Sequence, residues 1–249
     1  MHKNMVLLVG LLSIGIGLHA SAAACFSKDG RVTDYISLRA SKPTGLLSPW
    51  FIIIGAPGAG KTTTIDTLRS KGFRTVPEAA TQIIQEEQAA GIEHPYLADD
   101  FQSKVSIRFD ELADEVSKNI CPSICFFDRG PVDSISYKFL HEKPYQQPVI
   151  DSINHALSES LYQPTVFFVE ELDVFEGTEV RFEDAELAHA TGERIKQDYI
   201  DLGFTIVPVR RDTPENRAMF ILGYIARIFP EAVAHVLPVG AMNSFRDCV

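Results

Sequence analysis

Five short apolar runs recur along the chain, and segments with helical periodicity separate them. The runs occupy residues 51–54, 73–76, 124–127, 165–169 and 205–209, and β-branched and aromatic residues dominate them. Continuous apolar runs of this length are typical of strands that are buried on both faces of a sheet. Strands that alternate with helices predict an α/β fold, with about five parallel strands and helices on both faces.

Two of the predicted helices end in the same way. The segments 61–71 and 181–202 stop at Gly72 and Gly203, and each glycine is followed by a phenylalanine and the next strand. Glycine closes a helix here because it adopts the left-handed conformation without strain.

A third helix is expected to begin after Asp99 and Asp100, which are suited to cap it. Its apolar residues recur at helical spacing and predict a stripe that faces the core: Phe101, Val105, Phe109, Leu112 and Val116. Further helices are predicted at 79–90, 132–141, 147–161 and 213–228, and the chain from Pro230 onward carries no readable pattern.

The first 24 residues have a different pattern. His2 and Lys3 precede an apolar run at 6–18, and the small residues of HASAAAC follow it. This order is typical of a cleaved signal peptide, and the run is too short to span a bilayer comfortably. We therefore expect a secreted or exported protein. The alternatives are a membrane anchor that is retained, lipidation at Cys25, or a cytoplasmic protein whose start codon is placed too early.

The rest of the chain divides into a polar linker or arm at 25–49, one folded domain at 50–228 and a C-terminal tail at 229–249. A chain of 249 residues suits a single domain. The formal net charge is −10 and Lys and Arg form no stripe, which excludes a nucleic-acid binder. The four cysteines make no disulfide framework, and no zinc-ligand spacing is present.

The segment GAPGAGKT after the first apolar run matches the P-loop pattern G-x-x-x-x-G-K-[ST] in full. Glycines allow successive backbone N–H groups to point inward at phosphate, and the dipole of the following helix adds to the attraction. Lys61 would bridge the β- and γ-phosphates of ATP or GTP, and the Thr62 hydroxyl would bind Mg²⁺. The predicted nucleotide-binding residues are Gly55, Ala56, Pro57, Gly58, Ala59, Gly60, Lys61, Thr62 and Thr63.

A second acidic group for the metal follows the apolar run at 124–127. Asp128 stands at the end of this predicted strand, which is the Walker B arrangement. Thr62 and Asp128 are therefore the predicted metal ligands. An Asp at this position could also cap the helix after Pro131, and the two roles are compatible.

Several ordered motifs resemble one family: GAPGAGKTTT, TVPEAA, FFDRGPVDSISY, EVRFEDAELA, LGFTIVPV and TPENRAMFIL. Together they are similar to the AAA-type ATPase domains related to the nicotinamide riboside kinase domain of NadR, a group that includes GTP-binding proteins implicated in TRP-channel trafficking. The resemblance covers about residues 50–228. It implies a P-loop NTPase three-layer sandwich of the kinase type, with substrate bound at the carboxyl edge of the sheet.

The resemblance also implies roles for four residues outside the P-loop. Glu78 corresponds to the carboxylate that accepts the proton of the attacking hydroxyl, and Arg129 to an arginine near the transferred phosphoryl group. Arg181 resembles the lid arginine that closes on the triphosphate. Arg217 falls where the family packs the nucleotide base, although it could equally be a surface residue of a helix.

The preferred hypothesis is Mg²⁺-dependent phosphoryl transfer from ATP or GTP to a hydroxyl of a small, nucleoside-like acceptor. The alternative is a nucleotide-binding regulator with slow or no hydrolysis that acts on a protein or lipid partner. A pocket-facing Glu78 favours the kinase, whereas an exposed apolar face at 137–145 favours the regulator. A motor-like ATPase is disfavoured because nothing marks a second, arginine-supplying subunit.

Overall fold

The computed structural model describes residues 25–26, 32–33, 49–118, 123–140, 146–159, 161–171 and 185–236. Within the predicted linker, two-residue strands β1 (Cys25–Phe26) and β2 (Val32–Thr33) pair antiparallel. The predicted signal segment 1–24 lies outside the described residues, so export stays a prediction. In the part of the chain that the structure describes, no helix is long and apolar enough to cross a membrane.

A five-stranded parallel sheet forms the centre of the fold, as the pattern of apolar runs predicts. Its strands are β3 (Trp50–Ile54), β4 (Arg74–Val76), β5 (Cys125–Asp128), β6 (Thr165–Val169) and β7 (Thr205–Val209). They lie in the order β4-β5-β3-β6-β7. The central strands are buried throughout, whereas the edge strand β7 includes Pro208. Proline cannot donate a hydrogen bond to a neighbouring strand, so it is confined to positions such as the edge of a sheet.

Eight α-helices are described, most of them close to the segments that the periodicity predicts. They are α1 (Lys61–Ser70), α2 (Ala79–Ala89), α3 (Phe101–Ser117), α4 (Asp133–Leu140), α5 (Gln147–Ser158), α6 (Ala185–Asp201), α7 (Pro214–Ile225) and α8 (Pro230–Val233). A 3₁₀ turn at Pro95–Leu97 precedes α3. The short helix α8 lies where the sequence carries no pattern, and Val233 is nevertheless buried.

One cap differs from its prediction. Asp100 does stand at the N-cap of α3, but its side chain makes no capping hydrogen bond. Its backbone is already in the helical region, with φ −89° and ψ 0°, whereas a side-chain cap normally requires an extended N-cap residue.

Helices cover both faces of the sheet and produce three layers. Alternate residues of β3 point to opposite sides, so that Ile52 joins one core cluster and Phe51 the other. Residues of α3, α5 and α6 pack in the first cluster, and residues of α1, α7 and α8 in the second. The predicted α/β architecture with helices on both faces is confirmed.

The parallel arrangement brings the carboxyl ends of the strands to one edge. β3 leads there into the loop 55–60, β4 into Glu78, β5 into Arg129, and β6 into Glu170. In open α/β sheets this edge is where ligands bind. Residues that are far apart in the sequence therefore meet at one place.

Candidate functional site

The loop between β3 and α1 has the conformation of a phosphate cradle. Gly55 has φ +149°, and a Cβ there would stand 2.5 Å from the carbonyl oxygen of Val169, so only glycine fits against the end of β6. Gly60, at the N-cap of α1, has φ +85°, in the left-handed region that glycine adopts without strain. The loop thus ends at the positive end of a helix dipole, where an anion is stabilised.

Lys61 is buried at the centre of this loop. Its Nζ donates to the carbonyls of Gly55 at 3.1 Å and Ala56 at 2.8 Å. Burial, followed by the charge of Arg129, lowers the pKa of Lys61 to about 8. A buried ammonium group bonded to neutral carbonyls would be stabilised further by the negative charge of a phosphate.

Thr62 and Asp128, the predicted metal ligands, are hydrogen-bonded to each other. The Thr62 hydroxyl in the first turn of α1 donates to Oδ2 of Asp128 at 2.9 Å. Oδ1 of Asp128 is buried and accepts no hydrogen bond from the described residues. Burial and then the charge of Glu78 raise the pKa of Asp128 to about 6.

This pair of oxygen donors fits Mg²⁺. The described residues contain no cluster of three or more His, Cys, Asp or Glu side chains arranged for a metal ion. Magnesium does not require one beside a nucleotide, because it takes one or two protein oxygens and completes its shell with water and phosphate. The unpaired Oδ1 of Asp128 is the group that such an ion would satisfy.

Glu78 and Arg129 form an ion pair at the same edge of the sheet. Glu78 is the N-cap residue of α2, but its carboxylate does not cap the helix. Oε1 accepts from Nε of Arg129 at 2.5 Å, and Oε2 accepts from the Thr81 hydroxyl at 2.9 Å. Burial alone would raise the pKa of Glu78, but the charges of Arg129 and Lys61 outweigh it and hold that pKa below its usual value. Glu78 is therefore a carboxylate at neutral pH.

Arg129 has an unusual backbone. Its φ of +72° makes it the one described residue other than glycine with a positive φ, a conformation that costs a non-glycine residue about 1–2 kcal/mol. Its guanidinium lies over the ring of Tyr137, with 5.3 Å from Cζ to the ring centroid, and Nη1 approaches the carbonyl oxygen of Gly55 at 3.4 Å. Such outliers occur where surrounding contacts hold a functional side chain in place.

Asp133, for which the sequence predicts no role, holds Arg129 from the other side. Its Oδ1 accepts from Nη1 of Arg129 at 3.0 Å, and its Oδ2 accepts from the amide of Gly130 at 3.1 Å and from the hydroxyl of Tyr199 at 2.9 Å. The spacing of four between Arg129 and Asp133 could have suggested the pair. Nothing in the sequence connects Tyr199, on the distant helix α6, with this group.

A cavity of about 850 Å³ opens beside the loop. Lys61, Thr62, Glu78, Asp128 and Arg129 all line it. The remaining wall comes mainly from α2, the 3₁₀ turn and α3. Its apolar part includes Ile65, Ile84, Phe101, Val105, Phe109 and Tyr137. Charged groups suited to phosphate and a largely apolar chamber therefore share one space.

Comparison with known proteins shows the family of the chain. A family model described as an AAA domain matches residues 50–217, which is more than half of the chain. The chain belongs to the AAA domain family. The matched span of this AAA domain runs from β3 through the P-loop to α7.

Among solved structures, this AAA domain is similar to thymidylate kinase from Candida albicans. The sequence identity is 16% and the TM-score 0.46, over 72% of this chain and 91% of that chain. A similarity this low does not indicate which substrate the chain binds. No curated protein matches the sequence.

The AAA domain brings most of the predicted site residues together. The nine predicted nucleotide-binding residues lie on the loop and the first turn of α1, and Asp128, Glu78 and Arg129 border the same cavity. Arg181 lies outside the described residues, so its predicted lid role stays a prediction. Arg217 is 3% exposed and is therefore not the surface residue that one interpretation expects.

Proposed function

We propose that this AAA domain is a Mg²⁺-dependent kinase that transfers the γ-phosphoryl group of ATP or GTP to a hydroxyl of a small, nucleoside-like acceptor. The observation that carries the proposal is that Glu78, an ionised carboxylate, lines the same cavity as Lys61 and Thr62. A base and a phosphate clamp that share one chamber suit transfer to a bound hydroxyl better than hydrolysis at an open loop.

The nucleotide is held by the P-loop. Backbone amides of the loop, other than the position of Pro57, which has no N–H, bind phosphate oxygens together with the N-terminus of α1. Lys61 neutralises the charge on the β- and γ-phosphates. Thr62 and Asp128 would hold Mg²⁺, which supplies further neutralisation of phosphate charge when bound. ATP and GTP share these contacts, which all fall on the triphosphate.

Glu78 acts as the general base for the acceptor. It takes the proton of the acceptor hydroxyl while that oxygen bonds to the γ-phosphorus and the bond from phosphorus to the bridging oxygen breaks. The nucleoside diphosphate then leaves with the electron pair of that bond. Arg129 orients the Glu78 carboxylate, and its positive charge lies beside the P-loop carbonyl of Gly55. Arg181 is proposed to close over the triphosphate, as the sequence resemblance implies.

The cavity favours an acceptor that has an apolar or aromatic body and no phosphate of its own. The cations among the described lining residues are Lys61, Arg69 and Arg129. Lys61 belongs to the P-loop, Arg129 is bonded to Glu78 and Asp133, and Arg69 pairs with Asp66 at 2.6 Å. A phosphorylated acceptor would have to draw Arg69 from its exposed pair with Asp66, whereas a nucleoside needs no cation. The sequence resemblance to nicotinamide riboside kinases supports the same class.

The regulator hypothesis receives less support. It expects an exposed apolar face at 137–145, but Tyr137 packs against Arg129, and residues 141–145 lie outside the described part of the chain. Export through the 1–24 segment, and a protein or lipid partner, remain proposals that rest on the sequence alone.

A transfer assay tests the proposed function. The protein is incubated with Mg²⁺ and γ-labelled ATP or GTP, together with a panel of nucleosides and the matching nucleoside monophosphates. We expect label to move to at least one nucleoside and not to its monophosphate. Transfer to monophosphates alone would refute the acceptor class. Tight nucleotide binding without transfer to any hydroxyl compound would favour the regulator.

A further inference from the structure

Backbone carbonyls from three separate segments enclose the guanidinium of Arg217, on α7. Its Nη1 donates to Ala59 in the P-loop at 2.7 Å, its Nη2 to Glu170 after β6 at 2.8 Å, and its Nε to Arg210 after β7 at 3.2 Å. Because the residue is 3% exposed and its donor atoms face protein carbonyls, the guanidinium offers little surface to a nucleotide base.

The bond to Ala59 holds one peptide unit of the P-loop, the one that joins Ala59 to Gly60. In a planar trans peptide, the carbonyl of one residue and the amide of the next point in opposite directions. The Ala59 carbonyl is directed at Nη1 of Arg217. The amide of Gly60, in the same peptide unit, therefore points away from Arg217.

The rest of the loop is confined by direct packing. A Cβ at Gly55 would overlap the Val169 carbonyl, and a Cβ at Gly192 on α6 would stand 2.9 Å from the Cβ of Ala56. The first half of the loop therefore rests against β6 and α6. The second half, at Ala59, is held by the side chain of Arg217.

We propose that Arg217 is a positioning residue that aims the Gly60 amide at the bound phosphates without touching the nucleotide. This role rests on the proposed binding of nucleotide by the P-loop. It differs from the base-packing role that the sequence resemblance implies for Arg217. It also explains why arginine occupies the position, since a planar fork with donors on three nitrogens can bond three fixed carbonyls at once, whereas a lysine ammonium is a point charge on a flexible stem.

Binding measurements with three ligands separate these roles. Isothermal titration calorimetry compares the parent protein with Arg217→Lys, using MgATP, MgGTP and magnesium tripolyphosphate, which has no base. The matched control is Arg227→Lys, since Arg227 is exposed just beyond α7. Arg217→Lys keeps the positive charge and removes the planar guanidinium group with its several N–H donors. We expect Arg217→Lys to lower the affinity for all three ligands by about tenfold and by similar factors, and Arg227→Lys to leave all three affinities unchanged.

Other outcomes would overturn the inference. Weaker nucleotide binding with unchanged tripolyphosphate binding would show that Arg217 contacts the nucleobase. Unchanged binding of all three ligands would show that the contact does not position the loop. If the parent protein binds none of the ligands, the proposed nucleotide site fails, and the role of Arg217 fails with it.

A second measurement uses the unmodified protein, because replacement of a buried arginine can prevent folding. Amide hydrogen exchange of residues 55–62 is followed by mass spectrometry with fragmentation, with and without magnesium tripolyphosphate. We expect the Gly60 amide to become protected when the ligand binds. Protection of neighbouring loop amides without any change at Gly60 would contradict the proposed direction of the peptide plane.

Discussion

Nε of Arg129 donates a hydrogen bond to Oε1 of Glu78 at a distance of 2.5 Å, although the two residues are 51 positions apart in the chain. The same guanidinium bonds to Asp133 and approaches the P-loop carbonyl of Gly55. One side chain therefore connects the end of β4, the P-loop and the start of α4. The orientation of the proposed base depends on Arg129 and on the groups that hold Arg129.

Glu78→Gln should separate chemistry from nucleotide binding. The substitution keeps the size of the side chain and removes the base, so we expect phosphoryl transfer to fall at least about a hundredfold. Nucleotide affinity should stay close to that of the parent, because the P-loop makes those contacts. Single-turnover transfer and calorimetry measure the two effects.

The matched control for that variant is Glu86→Gln. Glu86 lies on the same helix, with its side chain 58% exposed in an ion pair with Arg108, and exposed pairs contribute less than about 1 kcal/mol to stability. Its transfer rate should equal that of the parent. Intact turnover in Glu78→Gln would show that Glu78 is only a residue at the end of a strand.

Lys61→Ala should weaken the binding of ATP and GTP alike. The buried ammonium is proposed to contact phosphate and not the base, so the loss should persist with Mg²⁺ present. Calorimetry measures it, with Lys118→Ala, an exposed position just after α3, as the control. Equal affinity in Lys61→Ala and the parent would refute the nucleotide site.

Asp133→Asn should slow transfer without a comparable loss of nucleotide affinity. The amide has the size of the carboxylate but no charge, so Arg129 loses one of its two ionic partners. We expect kcat to fall about tenfold and the free energy of unfolding to fall by about 1–3 kcal/mol. Rates and urea unfolding measure the two effects, and exposed Asp114→Asn is the control. A stability loss with an unchanged kcat would make Asp133 a structural residue only.

Gly192→Ala should destabilise the protein even though alanine is the better helix former. Alanine is favoured over glycine by about 1 kcal/mol in a helix interior, but here its Cβ would stand 2.9 Å from the Cβ of Ala56 and 3.1 Å from its backbone. Relieving this overlap must move α6 or the P-loop, which costs about 1–3 kcal/mol. We expect a lower thermal midpoint and weaker nucleotide binding. A higher thermal midpoint with unchanged nucleotide binding would show that α6 and the P-loop can move apart at no cost.

The N-terminus of the mature protein tests the proposed export. If residues 1–24 are a cleaved signal, the mature chain should begin at Ala23 or Cys25, depending on the site of cleavage. Mass spectrometry of the protein recovered from its source cells identifies that residue. An intact Met1 on soluble cytosolic protein would reject export.

The residues themselves determine the sheet, the P-loop and the helices of this protein. The runs at 165–169 and 205–209 coincide with β6 and β7, and α1 begins at Lys61 as predicted. These features are readable because hydrophobic periodicity and glycine chemistry act over a few neighbouring residues. A continuous apolar run is stable only as a buried strand or a buried helix, and its length decides between them. Helix α8 is not predictable in this way, because its four residues are too few to show a helical period.

Only the tertiary structure decides which side chains meet. The sequence places Glu78, Arg129 and Arg217 in motifs, but it does not show that Arg129 orients Glu78, that Asp133 and Tyr199 support Arg129, or that Arg217 bonds to Ala59 instead of lying at the surface. Each pair joins residues from different elements at the carboxyl edge of the sheet. Their separation is set by strand order and helix packing, which depend on the whole core at once and leave no periodic signal in the chain.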